Sequence, residues 1–274
     1  MPAVYRNGVK IHYEMIGAGP PVLFIHPHTT NSSVWCYQAQ IFAREYCCLT
    51  MDLRGHGHSD KPRSGYAIGE HAADVACVLR LLGLSRAAVV GNSIGGAVAL
   101  QLSIDHPELV AGNMIISTAM GLPKDQTHLE VEEIRRDYLG YIDRKMEKAF
   151  SAASRRNRPE ILAFIQALLR KDNFPEHIIH ASLDDPGSIF YWNIENQLKT
   201  ITQPTLVLAG EEDGAVPPHL TRALAEGIPG AAFRLVRDVG HFYELERPHD
   251  FNAELGVWLQ TLWADGHRDP RANS

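Results

Sequence analysis

The residues best suited to do chemistry are a serine, a histidine and a cluster of carboxylates, spread along a chain of 274 residues. Gly91-Asn92-Ser93-Ile94-Gly95 is a G-x-S-x-G that follows the apolar run AAVV and opens a helix-like stretch. Between a strand and a helix this pattern predicts a nucleophile elbow, a strained turn that lifts a serine hydroxyl out of a sheet. Glycines flank the serine because a side chain there would collide with backbone in so tight a turn. A serine hydroxyl is a weak nucleophile at neutral pH and needs a base that is itself oriented by an acid. Downstream, PTLVLAG ends in Glu211-Glu212-Asp213-Gly214, and AAFRLV runs into Arg237-Asp238-Val239-Gly240-His241. Each is a predicted strand followed by a polar loop, which is where open α/β sheets build their sites. The order serine, acid, histidine is the one this kind of elbow requires.

The elements that must carry these loops are legible as alternating patterns. AVYR and VKIHYEMI flank Asn7-Gly8, a dipeptide that supplies the two positive φ values of a tight hairpin turn. PVLFI, CCLTM and AAVVG are short apolar runs, each followed by a polar loop and a helical stretch, the pattern of a parallel sheet covered on both faces. The stretch from Ile94 through Asp105 reads as a buried helix closed by Pro107, and NMIISTAM as another strand. From about Lys124 to Lys199 the pattern is helical, densely charged and free of strand signal, so an all-helical insertion is expected. Strands resume at PTLVLAG and AAFRLV, and an amphipathic helix from about His249 to Trp263 closes the fold. The expected division is a core of residues 1–122 and 201–264, a helical cap at 123–200 and a flexible tail at 265–274.

Composition narrows the function classes. Hydrophobic residues at 45% and charged residues at 21% exclude a disordered, collagen-like or coiled-coil chain. A net charge of −6, scattered along the sequence, argues against nucleic acid or an anionic membrane as the main partner. The N-terminus lacks the basic and apolar stretches of a secretory signal, and no apolar run is long enough to span a membrane. Cys36, Cys47, Cys48 and Cys77 show no CxxC spacing and read as reduced core thiols of a cytoplasmic protein. No pair of histidines has HExxH spacing and no loop has phosphate-cradle spacing, so neither a metal nor a cofactor is expected. The expected partner is a small-molecule substrate, with a homodimer left open.

These motifs together resemble the α/β-hydrolase fold family over nearly the whole chain. Asp52-Leu53-Arg54-Gly55-His56-Gly57-His58-Ser59 is similar to its DxRGxGxS loop, GNSIGG to its elbow, GEEDGAVP to its acid loop and VGHFYELERP to its histidine loop. The resemblance implies a mostly parallel eight-stranded sheet flanked by helices, with an inserted helical cap. It also implies Ser93 as nucleophile, Asp213 as acid and His241 as base. Glu211 and Glu212 lie closer to the strand, and Asp238 is too near His241 in sequence to reach its ring easily. The oxyanion hole needs two N–H donors. One is expected from Ile94, at the N-terminus of the helix after the nucleophile. By the family pattern the other is the N–H of His28, two residues after His26. The usual His-Gly is here His26-Pro27, which removes an N–H the family does not use and stiffens the loop.

The function that follows is a serine hydrolase cleaving an ester or lactone of a small, fairly apolar molecule. Dehalogenase and epoxide-hydrolase relatives carry aspartate where this chain has Ser93. A carbon–carbon bond hydrolase of aromatic ring-cleavage products is the alternative, because Asn92 matches the asparagine of those elbows, although their glycine-rich oxyanion loop is absent. The stretch from Asp52 through Met120 also resembles 3-oxoadipate enol-lactonases. A lyase or ligand receptor that kept the triad is the reading from another class. Candidate substrate contacts are His28, Asn92, Trp192 and Phe242, with Phe164, Phe190 and Tyr191 as further aromatics of the insertion. His56 and His58 are expected to make structural hydrogen bonds.

Overall fold

The computed structural model describes residues 1–170 and 176–264; the tail expected at 265–274 lies outside them. The apolar runs become strands β1 (Ala3–Arg6), β2 (Val9–Ile16), β3 (Pro21–Ile25), β4 (Cys47–Met51), β5 (Ala87–Asn92), β6 (Val110–Ile116), β7 (Thr205–Gly210) and β8 (Ala232–Val236). They form one sheet in the order β1-β2-β4-β3-β5-β6-β7-β8. The first hairpin turns on Asn7 and Gly8 at φ 50° and 79°, and β2 runs antiparallel to β4. From β4 to β8 every pairing is parallel. Strands β3, β4, β5 and β6 are buried at every residue, as their unbroken apolar runs require of strands covered on both faces. Edge strand β8 is mostly exposed.

The helices in chain order are α1 (Cys36–Phe42), α2 (Ile68–Leu81), α3 (Ile94–Asp105), α4 (Lys124–Arg136), α5 (Tyr138–Ala149), α6 (Ala152–Asn157), α7 (Pro159–Arg170), α8 (Glu176–Asp184), α9 (Pro218–Gly227), α10 (Tyr243–Glu246) and α11 (Pro248–Ala264). Alternate strand residues feed two cores. Val22 and Phe24 pack with Trp35 and Phe251 on one face, while Leu23 and Ile25 pack with Val75 and Val98 on the other. Helices α4 to α8 all lie between β6 and β7, and a bridge between Gly121 and Asn193 draws the two ends of that insertion together. The cap core is continuous with the sheet core: Ile142, Met146 and Ile165 belong to the same buried cluster as Phe24 and Val90. Among the described residues no helix is long and apolar enough to cross a membrane, and no three His, Cys, Asp or Glu residues are grouped to hold a metal ion.

The expectation of four core thiols holds only in part. Cys47 and Cys48 are buried on β4, where burial pushes the Cys48 thiol up to about 12. Cys36, at the first residue of α1, is exposed, and Cys77 is half-buried on α2. Sequence spacing does not reveal which side of a helix faces out when the helix has only seven residues.

Two polar assemblies hold the loops at the C-terminal ends of β3 and β4. Arg54, almost wholly buried, donates from Nε and Nη2 to both oxygens of Asp74 on α2, at 2.6 and 2.7 Å, and from Nη1 to the Gly65 carbonyl. His26 and His56 then stitch the two loops together. The Leu53 N–H donates to His26 Nε2, so Nδ1 carries the proton and donates to the Pro27 carbonyl. The Thr29 N–H donates to His56 Nε2, and His56 Nδ1 donates to the Arg54 carbonyl. Each ring has one nitrogen that must accept from a main-chain amide, so each works only as a neutral imidazole. Burial acts in the same direction, lowering the proton affinity of both, and of His71.

Two outcomes are expected. Asp74→Ala leaves the Arg54 guanidinium buried with only the more distant Glu70 as carboxylate partner. Urea unfolding is expected to show a loss of about 3 kcal/mol or more; a loss below about 1 kcal/mol would mean that the pair behaves like a surface ion pair. Acid sensitivity follows from the histidines. Their folded-state proton affinities lie below the ordinary 6.5, that of pocket residue His28 at about 3 with burial as the main cause. Such groups contribute stability that is present above pH 6.5 and lost as pH falls. Buried Glu244, pushed up to about 7 from 4.5, has the opposite sign and loses its contribution as pH rises through 7. Buried Glu254 has the same sign as Glu244, but the histidines outnumber the two carboxyls, so stability is expected to fall below pH 6.5. Urea midpoints at pH 7.5, 6 and 5 measure this; a midpoint that holds or rises from pH 6 to 5 contradicts it.

Candidate active site

Ser93 sits at the turn between β5 and α3 with φ 56° and ψ −119°, a strained conformation for a residue with a side chain, costing about 1–3 kcal/mol. Its surroundings hold it there. The Ser93 N–H donates to the Ile116 carbonyl at 2.9 Å, and its carbonyl accepts from the Ala97 N–H and the Thr118 hydroxyl. A methyl group on Gly91 would strike the backbone of Gly95, and one on Gly95 would strike the Ile25 carbonyl, so neither position admits a side chain. Ile94 is the first residue of α3, so its N–H belongs to the turn whose amides have no partner within the helix.

The acid and the histidine are brought together from the loops after β7 and β8. His241 Nδ1 lies 2.9 Å from Asp213 Oδ2, and both side chains are buried. A carboxylate accepts only, so Nδ1 carries the proton and Nε2 remains for a serine proton. Asp213 Oδ1 accepts the N–H groups of Ala215 and Val216, each at 2.9 Å, which fixes the carboxylate plane before it meets the ring. Glu212 is engaged elsewhere, accepting from the Ala152 N–H of the cap at 2.7 Å.

A set of bonds that sequence reasoning did not find locks the cap to these loops. The His241 N–H donates to the Ala149 carbonyl at 2.6 Å, and the Gly214 N–H to that of Lys148 at 3.0 Å, both at the C-terminus of α5. Buried Glu246 accepts from Gly240 N–H through one oxygen and from Ser151 N–H through the other, 3.0 Å each. A side chain on Gly240 would fill the space occupied by the Ala149 carbonyl. The available signal was a pair of carboxylates, Glu244 and Glu246, just after His241.

Ser93 and His241 line one cavity beneath the cap, and His28, Trp192 and Phe242 line it with them, as does Phe190. The His28 ring meets that of Phe190 edge-on at 6.1 Å between centroids, and Trp192 is held from behind by a bond from its Nε1 to Gln101. Burial is the main reason that the His28 imidazole stays neutral, and the nearby Lys145 charge adds to it. Pro27 lines the cavity through an ordinary trans peptide.

Asn92 is a correction. It is fully buried and does not line the cavity; its Nδ2 donates to the His241 carbonyl at 3.0 Å and to Glu244 Oε1 at 2.8 Å. Its two bonds tie the end of β5 to the histidine loop. Phe164 and Tyr191 are partly exposed and outside the cavity. Conversely, Glu130, Tyr141 and Lys145 of α4 and α5 line the cavity, although the charged cap pattern did not single them out.

The comparisons agree with this architecture. The alpha/beta hydrolase fold profile matches residues 20–248. Est816, described as an N-acyl homoserine lactone degrading enzyme, is 45% identical, with a TM-score of 0.90 over 94% of this chain and 100% of that one. A putative carbamate hydrolase of Caulobacter vibrioides is 28% identical over 91% of this chain and 95% of its own length. An uncharacterized protein of Mycobacterium tuberculosis is 35% identical over 119 residues, which is 43% of this chain and 35% of that protein. With the motif order, the sheet and the matched span in agreement, the chain belongs to the alpha/beta hydrolase fold family.

Proposed function

We propose that the protein is a serine hydrolase that cleaves esters or lactones of small, largely apolar molecules through an acyl-enzyme. The observation that carries this reading is the buried Asp213–His241 pair, whose histidine lines one cavity with a serine held at positive φ. His241 Nε2 takes the Ser93 proton as the hydroxyl attacks the carbonyl, and Asp213 stabilises the imidazolium that forms. The N–H groups of Ile94 and His28 hold the tetrahedral oxyanion, where charge develops in the transition state. His241 then passes the proton to the leaving oxygen, and a water activated by the same nitrogen releases the acid.

The apolar wall of Phe190, Trp192 and Phe242 favours a substrate with an aliphatic or ring portion. The description of Est816, 45% identical across its whole length, brings N-acyl homoserine lactones to the head of the substrate panel. Asn92, whose match to those elbows suggests carbon–carbon hydrolysis, offers no side chain to a substrate in this cavity. Non-hydrolytic use of the fold would leave the triad idle, so activity is the deciding measurement.

A fluorophosphonate probe is expected to label Ser93 in the wild type and not in Ser93→Ala. Across p-nitrophenyl esters, lactones and ring-cleavage diketones, turnover is expected with the first two classes. Ser93→Ala and His241→Ala are each expected to lower kcat by about 10⁴-fold or more. Equal activity of wild type and Ser93→Ala, or no labelling of the wild type, removes the nucleophile from the mechanism. Preference for the diketones replaces the substrate class.

A further inference from the structure

The cap side of the cavity is apolar except at one point. Lys145, on α5, donates from Nζ to the Tyr141 hydroxyl one turn earlier at 2.7 Å and to Glu130 Oε1 on α4 at 3.4 Å. Its ammonium also lies 5.2 Å from the Tyr141 ring centroid. All three residues line the cavity that holds Ser93 and His241, among Ile142, Met146 and Ile179. Packing alone does not account for them, because the two charged side chains keep 29% and 30% of their surface exposed, and an ion pair so placed adds little to stability.

Donor arithmetic says what is left over. An ammonium has three N–H groups and no acceptor; two are spent on Tyr141 and Glu130, and among the described residues no partner takes the third. The group also stays charged. Burial opposes its charge, while the Glu130 carboxylate and the hydrogen bond to the Tyr141 hydroxyl favour it, and the proton is held more tightly than in a free lysine. Burial keeps the Tyr141 phenol neutral, the strongest influence on it. The lysine charge is thus already matched by Glu130, so a carboxylate on a ligand would meet a site without net positive charge. A neutral carbonyl oxygen needs one donor and brings no charge to desolvate.

The location suits a substrate contact. Lys145 is one turn before Ala149, whose carbonyl accepts the His241 N–H, and three residues before Lys148, whose carbonyl accepts the Gly214 N–H. Its helix therefore cannot move without moving the histidine and acid loops, and its distance from the reacting centre is set by main-chain bonds.

We infer that Lys145 determines specificity by donating its third N–H to a neutral carbonyl, an amide or a ketone, that the substrate carries apart from the scissile ester or lactone. This rests on the serine-hydrolase reading of the same cavity. The test compares kcat/KM of N-hexanoyl homoserine lactone, which carries such an amide, with that of γ-decanolactone, an alkyl lactone without one. A third lactone bearing a carboxymethyl group supplies an anion.

In Lys145→Met the ratio of the amide lactone to the alkyl lactone is expected to fall about ten- to a hundredfold, the worth of a hydrogen bond to a charged group. The loss should appear mainly in KM, because a contact remote from the reacting carbonyl is made in the ground state too. Lys145→Arg, which keeps charge and donors, is expected to restore most of the ratio. Melting curves establish that each variant is folded; if Lys145→Met does not fold, Lys145→Gln takes its place with the same expected fall.

A ratio unchanged in the folded variant, or an equal loss on both lactones, overturns the role of Lys145 while wild-type turnover of the two leaves the hydrolase reading intact. Preference of the wild type for the carboxymethyl lactone, lost in Lys145→Met, overturns the neutral acceptor in favour of an anion. No wild-type turnover of any lactone, with no labelling of Ser93, overturns the hydrolase reading and this inference with it.

Discussion

The hydrogen bond from the His241 amide to the Ala149 carbonyl, 2.6 Å long, joins the chemistry of the sheet to the shape of the cap. The histidine arrives on a loop after an edge strand that is itself largely exposed, and an edge strand alone is a poor anchor for a buried imidazole. The cap supplies the missing restraint. Ala149 fixes the His241 backbone, Lys148 fixes Gly214 beside the acid, and Glu246 reaches from α10 to both Gly240 and Ser151. Insertion and histidine loop are thereby one mechanical unit, so a shift of α5 also shifts the imidazole.

Charge is handled in the same region by neutralisation more than by pairing. His26, His28 and His56 lie edge to edge, with ring centroids 4.9 Å apart for the first and third and 5.6 Å for the second and third. Three imidazolium ions at these separations would repel strongly in a medium of low polarity. Keeping them neutral lets two of them accept main-chain N–H groups and so shape the loop that carries the His28 amide. Below the histidine, Glu244 has its proton affinity raised to about 7 chiefly by burial, although the Asn92 amide opposes the rise. The strong permanent charges that remain next to the cavity are those with fixed partners, Asp213 with His241 and Lys145 with Glu130.

What could be read from the residues, and what could not, follows from the range of the interactions. Strands whose burial is set by the whole sheet leave continuous apolar runs, so β3, β4, β5 and β6 were legible, as was the Asn7-Gly8 turn, whose two positive φ values demand those residue types. The place of Ser93 at a strand-to-helix turn and the meeting of Asp213 with His241 were legible because loop motifs preserve chain order. Asn92 was misplaced because periodicity does not say on which side of a strand-to-helix turn the preceding residue ends up. The cap was readable as helices and unreadable as a surface. Lys145 there has an ordinary helical spacing to Tyr141, and only the placement of α4 beside α5 gives it Glu130. Likewise the latch uses backbone carbonyls at Lys148 and Ala149, whose side chains carry no trace of the bond.

The strain at Ser93 shows how such a site is sustained. Positive φ there works against folding by about 1–3 kcal/mol, yet the elbow is the first step of α3, a helix buried along most of its length. Val98, Leu100 and Leu102 are each completely buried on it, and burying one such side chain is worth about 1.5–3 kcal/mol. A single one of those residues therefore offsets the turn. The helix can take only one position, because Gly95 lies against the carbonyls of Ile25 and His26 and Gly96 against Thr118. Relaxing the serine to an ordinary conformation would swing α3 away from these contacts and expose several apolar side chains. The strained geometry is thus the cheaper state, and the hydroxyl is held up toward the cavity by packing on the far side of the sheet from the cap.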